Sequence, residues 1–322
     1  MRGAVAITGA GAVTSRDVAL AVLPEAVRAR ATRAERVTQL VLLAAGRALA
    51  AAGLEAIDGA PRPRLGVVLG TAFGCFLTNA AHQRRLLEGG PAAASPRLFA
   101  ATVSNAAAGE LAIAYRLGGP SVTLTAGGAS GIVALGHAAD LVRAGRADAL
   151  VAGGADALDD DLRRWLAAGG LDPGRAPAEG AAVLVLERMD LARARRRAVL
   201  GTVEGVAAGF EPEPAGARAG EGLAAAVATA LGEAGVAPSE IRALVSAAPP
   251  ALADLESRAL GGVEPRTVVR PKDALGETFG AAGALGVLAA LAEAPPGAAL
   301  LVLDVCASGH VAALVARAGD AA

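Results

Sequence analysis

Residues 119–139 read Gly-Pro-Ser-Val-Thr-Leu-Thr-Ala-Gly-Gly-Ala-Ser-Gly-Ile-Val-Ala-Leu-Gly-His-Ala-Ala, and their reading decides the fold. The stretch from Leu117 to Ala139 carries no charge, and roughly 20 apolar residues suffice to span a bilayer. Pro120, the glycines and the Ser/Thr cluster break it up, however. It therefore reads as a short strand, a tight turn through Gly127 and Gly128, and a buried helix, with no membrane span.

Outward from this segment, short runs of Val, Leu and Ile alternate with alanine-rich helical stretches, the pattern of a layered α/β protein. Strands are predicted at residues 4–8, 64–69, 121–125, 147–152, 181–186, 200–207, 243–247, 299–305 and 312–316. Most are apolar almost throughout, which argues for cover on both faces. Helices fall at 33–52, 130–144, 220–234 and 280–292; in the first, Val37, Leu40, Val41, Ala44 and Ala48 recur at helical spacing. The Gly- and Pro-rich stretch 168–180 is the expected seam between an N-terminal half (1–170) and a C-terminal half (171–322).

Composition narrows the function. The 322 residues are 54% hydrophobic with a net charge of −1, so a large core is available and disorder is excluded. Aromatics are 2% of residues, and 30 Lys+Arg balance 31 Asp+Glu, which provides neither a base-stacking surface nor a basic patch for nucleic acid. The N-terminus lacks the pattern of a signal peptide, so a cytoplasmic location is expected. Cys75 and Cys306 stand far apart in no metal-ligand spacing and read as reduced thiols. Thr8-Gly-Ala-Gly-Ala-Val-Thr14 suggests a dinucleotide fingerprint, but Thr14 replaces the third glycine and no acidic residue follows in the expected place. A tight turn after the first strand accounts for it.

Several segments, in order, carry a resemblance. The 119–139 stretch continues into Arg143-Ala-Gly-Arg-Ala-Asp-Ala-Leu-Val-Ala-Gly-Gly-Ala-Asp156, and downstream stands Lys272-Asp-Ala-Leu-Gly-Glu-Thr-Phe-Gly-Ala-Ala-Gly-Ala284. Gly66–Gly74, Ser95-Pro96, Thr102-Val-Ser-Asn105 and Gly180–Glu187 fit the same template. Together they resemble the β-ketoacyl synthases of type II fatty-acid and polyketide assembly. The resemblance implies a thiolase-like fold of two pseudo-symmetric halves in an α-β-α-β-α sandwich, here with shortened cap loops at 14–33 and 156–172.

The resemblance also implies a degenerate active site. The nucleophilic cysteine of the family, at the start of the central helix where helix dipole and N–H groups favour a thiolate, falls on Gly128. The first catalytic histidine falls on Ala248 in Val245-Ser-Ala-Ala-Pro-Pro250. In the family the second follows a Lys-x-x-x-Gly spacing, where Lys272 and Gly276 match and Glu277 replaces the imidazole. The aromatic gate positions fall on Val305 and Ala307 in Leu303-Asp-Val-Cys-Ala-Ser-Gly-His310. His82, His137 and His310 are expected to be non-catalytic, Glu277 to pair with Lys272, and Cys306 to lack a His or cationic partner. No catalytic residue, metal or cofactor is expected.

Inactive members of this family, the chain-length factors, pair with active ketosynthases, and the resemblance implies that partner, with acyl carrier protein met only through it. The expected interface strand is Ser121, Val122, Thr123, Leu124 and Thr125. A helix over 103–114 would flank it and line an acyl tunnel with Val103, Ala106 and Ala107, closed by Leu111 and Phe99. Two other readings stand beside this one. The first is a divergent thioester hydrolase or decarboxylase using Glu277, Ser130 or Cys306; the second is a homodimeric acyl-binding protein.

Overall fold

Runs of Val, Leu and Ala too apolar for a solvated face must be covered on both sides. The computed structural model, which describes residues 4–15, 17–169, 174–212, 218–246 and 248–319, covers them with helices on each face of a ten-stranded sheet. The strands are β1 (Val5–Thr14), β2 (Leu65–Gly70), β3 (Ser121–Leu124), β4 (Ala149–Asp156), β5 (Gly180–Arg188), β6 (Gly201–Phe210), β7 (Ile241–Val245), β8 (Thr267–Val269), β9 (Ala299–Val305) and β10 (His310–Ala318). The helices are α1 (Glu25–Ala31), α2 (Arg36–Ala52), α3 (Phe76–Gly89), α4 (Pro96–Ala100), α5 (Ala106–Ala114), α6 (Ser130–Arg143), α7 (Asp160–Ala168), α8 (Met189–Ala194), α9 (Glu221–Ala234), α10 (Ala253–Ala259), α11 (Pro271–Leu275) and α12 (Ala282–Glu293).

The strand order is β3-β2-β4-β5-β1-β6-β10-β9-β7-β8. From each end inward the same arrangement is repeated. β2 is parallel to β3 and β4, β4 is antiparallel to β5, and β5 is antiparallel to β1. Likewise β7 is parallel to β8 and β9, β9 is antiparallel to β10, and β10 is antiparallel to β6. The two halves join where β1 and β6 pair, Val5 opposite Val203 and Ile7 opposite Gly201. β5 therefore belongs to the first half, and the boundary expected at residue 170 falls inside that unit. Residues 170–173 of the expected seam lie outside the described residues.

Alternation along the strands builds the layers. On β5, Ala182, Leu184 and Leu186 face a core shared with Ile132 and Leu135 of α6 and Ala284 and Val287 of α12. Ala181, Val183 and Val185 face the other way, against Leu40, Leu43 and Ala44 of α2 and Leu111 of α5. In the second half, Leu300 and Val302 of β9 and Leu314 of β10 join the α6/α12 core, while Leu301, Leu303 and Val315 meet Leu223 and Val227 of α9 and Leu255 of α10. The result is α-β-α-β-α with α6 and α12 in the middle. Each fully buried Leu contributes about 1.5–3 kcal/mol.

Two expectations are corrected, at β1 and at Thr125, and the two short connections are seen to hold small elements. β1 continues to Thr14, so its glycines mark close packing within a strand rather than a turn: a Cβ at Gly9 or Gly11 would run into the carbonyl oxygens of Ala48 and Ala44 on α2. The 14–33 connection holds a 3₁₀ turn (Leu20–Val22) and α1, whose Val27 and Ala31 are buried. The 156–172 connection holds α7 up to Ala168. Thr125 lies just past the end of β3. β8, which escaped the sequence reading, is three residues long with Thr267 and Val268 exposed. Ala247, predicted as the end of a strand, lies outside the described residues. Among the described residues no helix is long and apolar enough to cross a membrane.

Candidate functional site

At the end of β3 the chain turns through Gly127, whose φ of 54° is left-handed, before α6 begins at Ser130. Wholly buried Ser130 braces this turn. Its Oγ accepts the Ala126 N–H at 2.8 Å and lies 2.6 Å from the Gly127 carbonyl oxygen and 3.0 Å from that of Thr71. A hydroxyl so engaged is a structural brace rather than a nucleophile. Gly128 presents no side chain, and the loop between β9 and β10 crowds the space one would need. A Cβ at Gly128 would stand 3.1 Å from the Cys306 Cβ, and one at Gly127 would stand 2.6 Å from its Sγ.

Beside this turn lies a buried charge cluster. The Lys272 ammonium, on the short helix α11, is 3.0 Å from Glu277 Oε2 and 3.2 Å from Asp304 Oδ1. Glu277 Oε1 accepts the Phe279 N–H at 2.9 Å. The expected Lys272–Glu277 pair is thus present, with a second carboxylate that the sequence reading did not single out; its one signal was an acid inside the apolar run of β9. Burial works against the charge on Lys272, but the two carboxylates outweigh it and leave its pKa raised. Burial pushes Asp304 up to about 7 and Glu277 adds to this, while Lys272 opposes. Two buried carboxylates and one cation leave an excess negative charge, which a proton on Asp304 relieves.

A cavity of about 220 Å³ brings together Gly128, Lys272, Glu277, Val305 and Ala307. Ala248 is not on its wall; the neighbouring Pro249 is. Ala248 is buried, with its N–H bonded to Glu256 and its carbonyl to Arg175. The aromatic wall comes from residues the sequence reading missed: Phe73 and Phe279, edge to face at 4.8 Å, with Leu166 of α7 beside them. Asp156, at the end of β4, fixes these loops. Its carboxylate accepts from Thr71 Oγ1 (2.7 Å) and from the N–H groups of Phe73 (2.9 Å), Ala72 (2.9 Å) and Gly280 (2.7 Å). Burial raises its pKa against those donors.

The histidines separate. His137 is exposed, and His82 is buried next to the Phe99 ring. His310 corrects the expectation that Cys306 has no partner: Cys306 Sγ is 2.7 Å from Ser308 Oγ, which is 3.1 Å from His310 Nδ1. Alternate residues of this loop reach one another through space, a link that spacing alone did not reveal.

The tunnel residues are also dispersed. Val103, Ala106 and Ala107 line a small cavity of about 30 Å³ with Thr123. Leu111 lies wholly inside the α2/α5 core, and Phe99 is 66% exposed; neither touches that cavity. Phe99, Val103 and Ile113 are among the exposed large apolar side chains. β3, with Ser121 exposed and Val122, Thr123 and Leu124 half-buried, forms one edge of the sheet.

The sequence model of the β-ketoacyl synthase N-terminal domain matches residues 14–192. The chain belongs to the β-ketoacyl synthase family. This match runs past β5, in agreement with the strand order. Among β-ketoacyl synthase relatives, the chain is 33% identical over 252 residues to the actinorhodin polyketide putative beta-ketoacyl synthase 2 of Streptomyces coelicolor, covering 70% of this chain and 61% of that protein. It is 32% identical to the tetracenomycin polyketide synthase ketoacyl synthase beta subunit of Streptomyces glaucescens, covering 80% and 68% respectively. More than a third of the actinorhodin protein thus has no counterpart in the match. Among solved structures, the ishigamide ketosynthase/chain length factor superposes with a TM-score of 0.81 at 25% identity, covering 98% of this chain and 100% of that one. A β-ketoacyl synthase from Burkholderia phymatum shares the fold at 20% identity, with a TM-score of 0.80 over 99% of this chain and 100% of that one.

Proposed function

We propose that this chain is a chain-length-factor-like partner of an active ketosynthase in type II polyketide, aryl-polyene or fatty acyl biosynthesis. It forms a heterodimer and shapes the acyl tunnel without performing the condensation. The Gly127-Gly128 turn carries this reading: the start of the central helix offers no nucleophilic side chain, and the opposite loop crowds its place. Glu277, held by Lys272 and the Phe279 N–H, falls by the family resemblance at the position of the second histidine, which supports a site without the imidazole. The beta-subunit name of the tetracenomycin relative supports the same role.

Among the described residues β3 is hydrogen-bonded in the sheet only to β2. Pairing its free edge with a second chain would satisfy its outward N–H and C=O groups, and the exposed Phe99, Val103 and Ile113 supply apolar area nearby. Val103, Ala106 and Ala107 would then border the tunnel. Carrier protein would dock on the partner, and the complex would be cytoplasmic.

Co-expression with candidate ketosynthases, followed by size measurement, tests the reading. A one-to-one heterodimer is expected, and Val103→Asp should abolish it while changing the stability of the single chain by no more than about 0.5 kcal/mol. Carbon–carbon bond formation by the chain alone, or assembly only with itself, would overturn it.

A further inference from the structure

Cys306 approaches the nucleophile turn from the opposite loop, its Sγ against Gly127 and its Cβ 3.1 Å from where a Cβ on Gly128 would stand. Three observations make it more than a solitary cysteine. It lines the 220 Å³ cavity together with Ser308 and the apolar Phe73, Leu166, Phe279 and Val305. It is part of an ordered array, Sγ to Ser308 Oγ at 2.7 Å and Oγ to His310 Nδ1 at 3.1 Å. Its Sγ also lies against Gly127 and its Cβ near Gly128, in the turn that precedes the fourteen-residue helix α6.

A serine hydroxyl has one hydrogen and two lone pairs, so in the His310 tautomer with an unprotonated Nδ1 Ser308 can donate to that nitrogen while accepting the Cys306 S–H. Loss of the thiol proton is then relayed through Ser308 to His310. The other side of the imidazole is held by the Phe210 ring, edge-on at 5.5 Å. Of the charged groups near the loop, Lys272 and Glu277 share the cavity wall with Cys306, and Lys272 pairs with both Glu277 and Asp304.

We infer that Cys306 is an acyl-accepting thiol, which takes a short acyl group from an acyl thioester. Its sulfur bonds to the thioester carbonyl carbon, and the bond from that carbon to the donor sulfur breaks. The proton given up through Ser308 to His310 passes to the departing thiolate, so a donor thioester and a thiol become an acyl-Cys306 and a new thiol. No carbon nucleophile is generated, and the step stops at the thioester. The cavity is small for a ligand site and its wall is largely apolar, which suits an acyl chain of a few carbons. This inference does not rest on the partner role: a heterodimer subunit with an inert Cys306 passes the co-expression test and fails the one below.

The test treats the purified full chain with the N-acetylcysteamine thioester of hexanoic acid and reads intact mass, followed by peptide mapping. One acyl group per chain is expected on the Cys306 peptide. The adduct should be retained in Cys75→Ala and lost in Cys306→Ala, with both variants matching the parent in circular dichroism. Ser308→Ala and His310→Gln should slow acylation by roughly a hundredfold near neutral pH, the scale of general acid–base assistance. That deficit should shrink towards alkaline pH as bulk hydroxide forms the thiolate unaided, whereas a merely structural role would leave it constant. Absence of the adduct, labelling on Cys75, or a His310→Gln rate equal to that of the parent at neutral pH would each overturn the inference.

Discussion

Replacing Asp304 by asparagine should remove a pH dependence whose size follows from the charge cluster. Asp304 is fully buried, and its carboxyl is pushed up to about 7 from an ordinary 3.8. Between those values the folded protein holds a proton on this group that the unfolded chain has lost. Its contribution to stability is therefore complete below the ordinary value, falls by about 1.4 kcal/mol per pH unit, and is gone above about 7. Asparagine mimics the protonated, neutral carboxyl at every pH. From about pH 5 to about pH 8, Asp304→Asn should thus gain on the parent by about 2–3 kcal/mol. Urea denaturation followed by circular dichroism on both proteins at both pH values measures this, because the titrations of groups outside the cluster, Asp156 included, cancel in the difference. A gap between the two proteins that stays constant with pH, or one that moves in favour of the parent as pH rises, would refute the argument that burial of the cluster holds the proton.

Lys272→Met leaves Glu277 and Asp304 buried without their cation and should cost about 3–5 kcal/mol, read as a lowered midpoint of chemical denaturation. Gly128→Ala places a Cβ against that of Cys306 and should cost roughly 1–3 kcal/mol; in a double-mutant cycle most of this should return with Cys306→Gly, because the two share one space. Asp156→Ala strips buried N–H groups at Ala72, Phe73 and Gly280 of their acceptor, at about 1–3 kcal/mol each, and hydrogen exchange at those amides should rise well above that of α2.

Most strands and the central helices were legible because their apolar runs are nearly unbroken, which follows from burial on both faces. β8 was not: Thr267 and Val268 are exposed, and three residues set no period. Gly9 and Gly11 imitated a nucleotide loop because close approach of a helix and a tight turn both call for glycine, and only the position of α2 separates the two. At the site, Gly128, Lys272, Glu277, Val305 and Ala307 were legible through the family pattern and do meet at one cavity. Ala248 does not reach it, and Leu111 turned out to be core. Phe73 and Phe279 meet through loops from separate halves of the chain and Asp304 meets Lys272 from a different element, which no local pattern announces, while the Cys306-to-His310 array lies within one loop whose closure spacing alone did not reveal.

The loop opposite the nucleophile turn also bears on any attempt to install a thiol at Gly128. A Cβ there would stand 3.1 Å from that of Cys306, close enough that the neighbour must give before a larger group fits. A designed side chain at Gly128 therefore calls for a paired change at Cys306, and the two positions form one design unit although they lie in opposite halves of the chain.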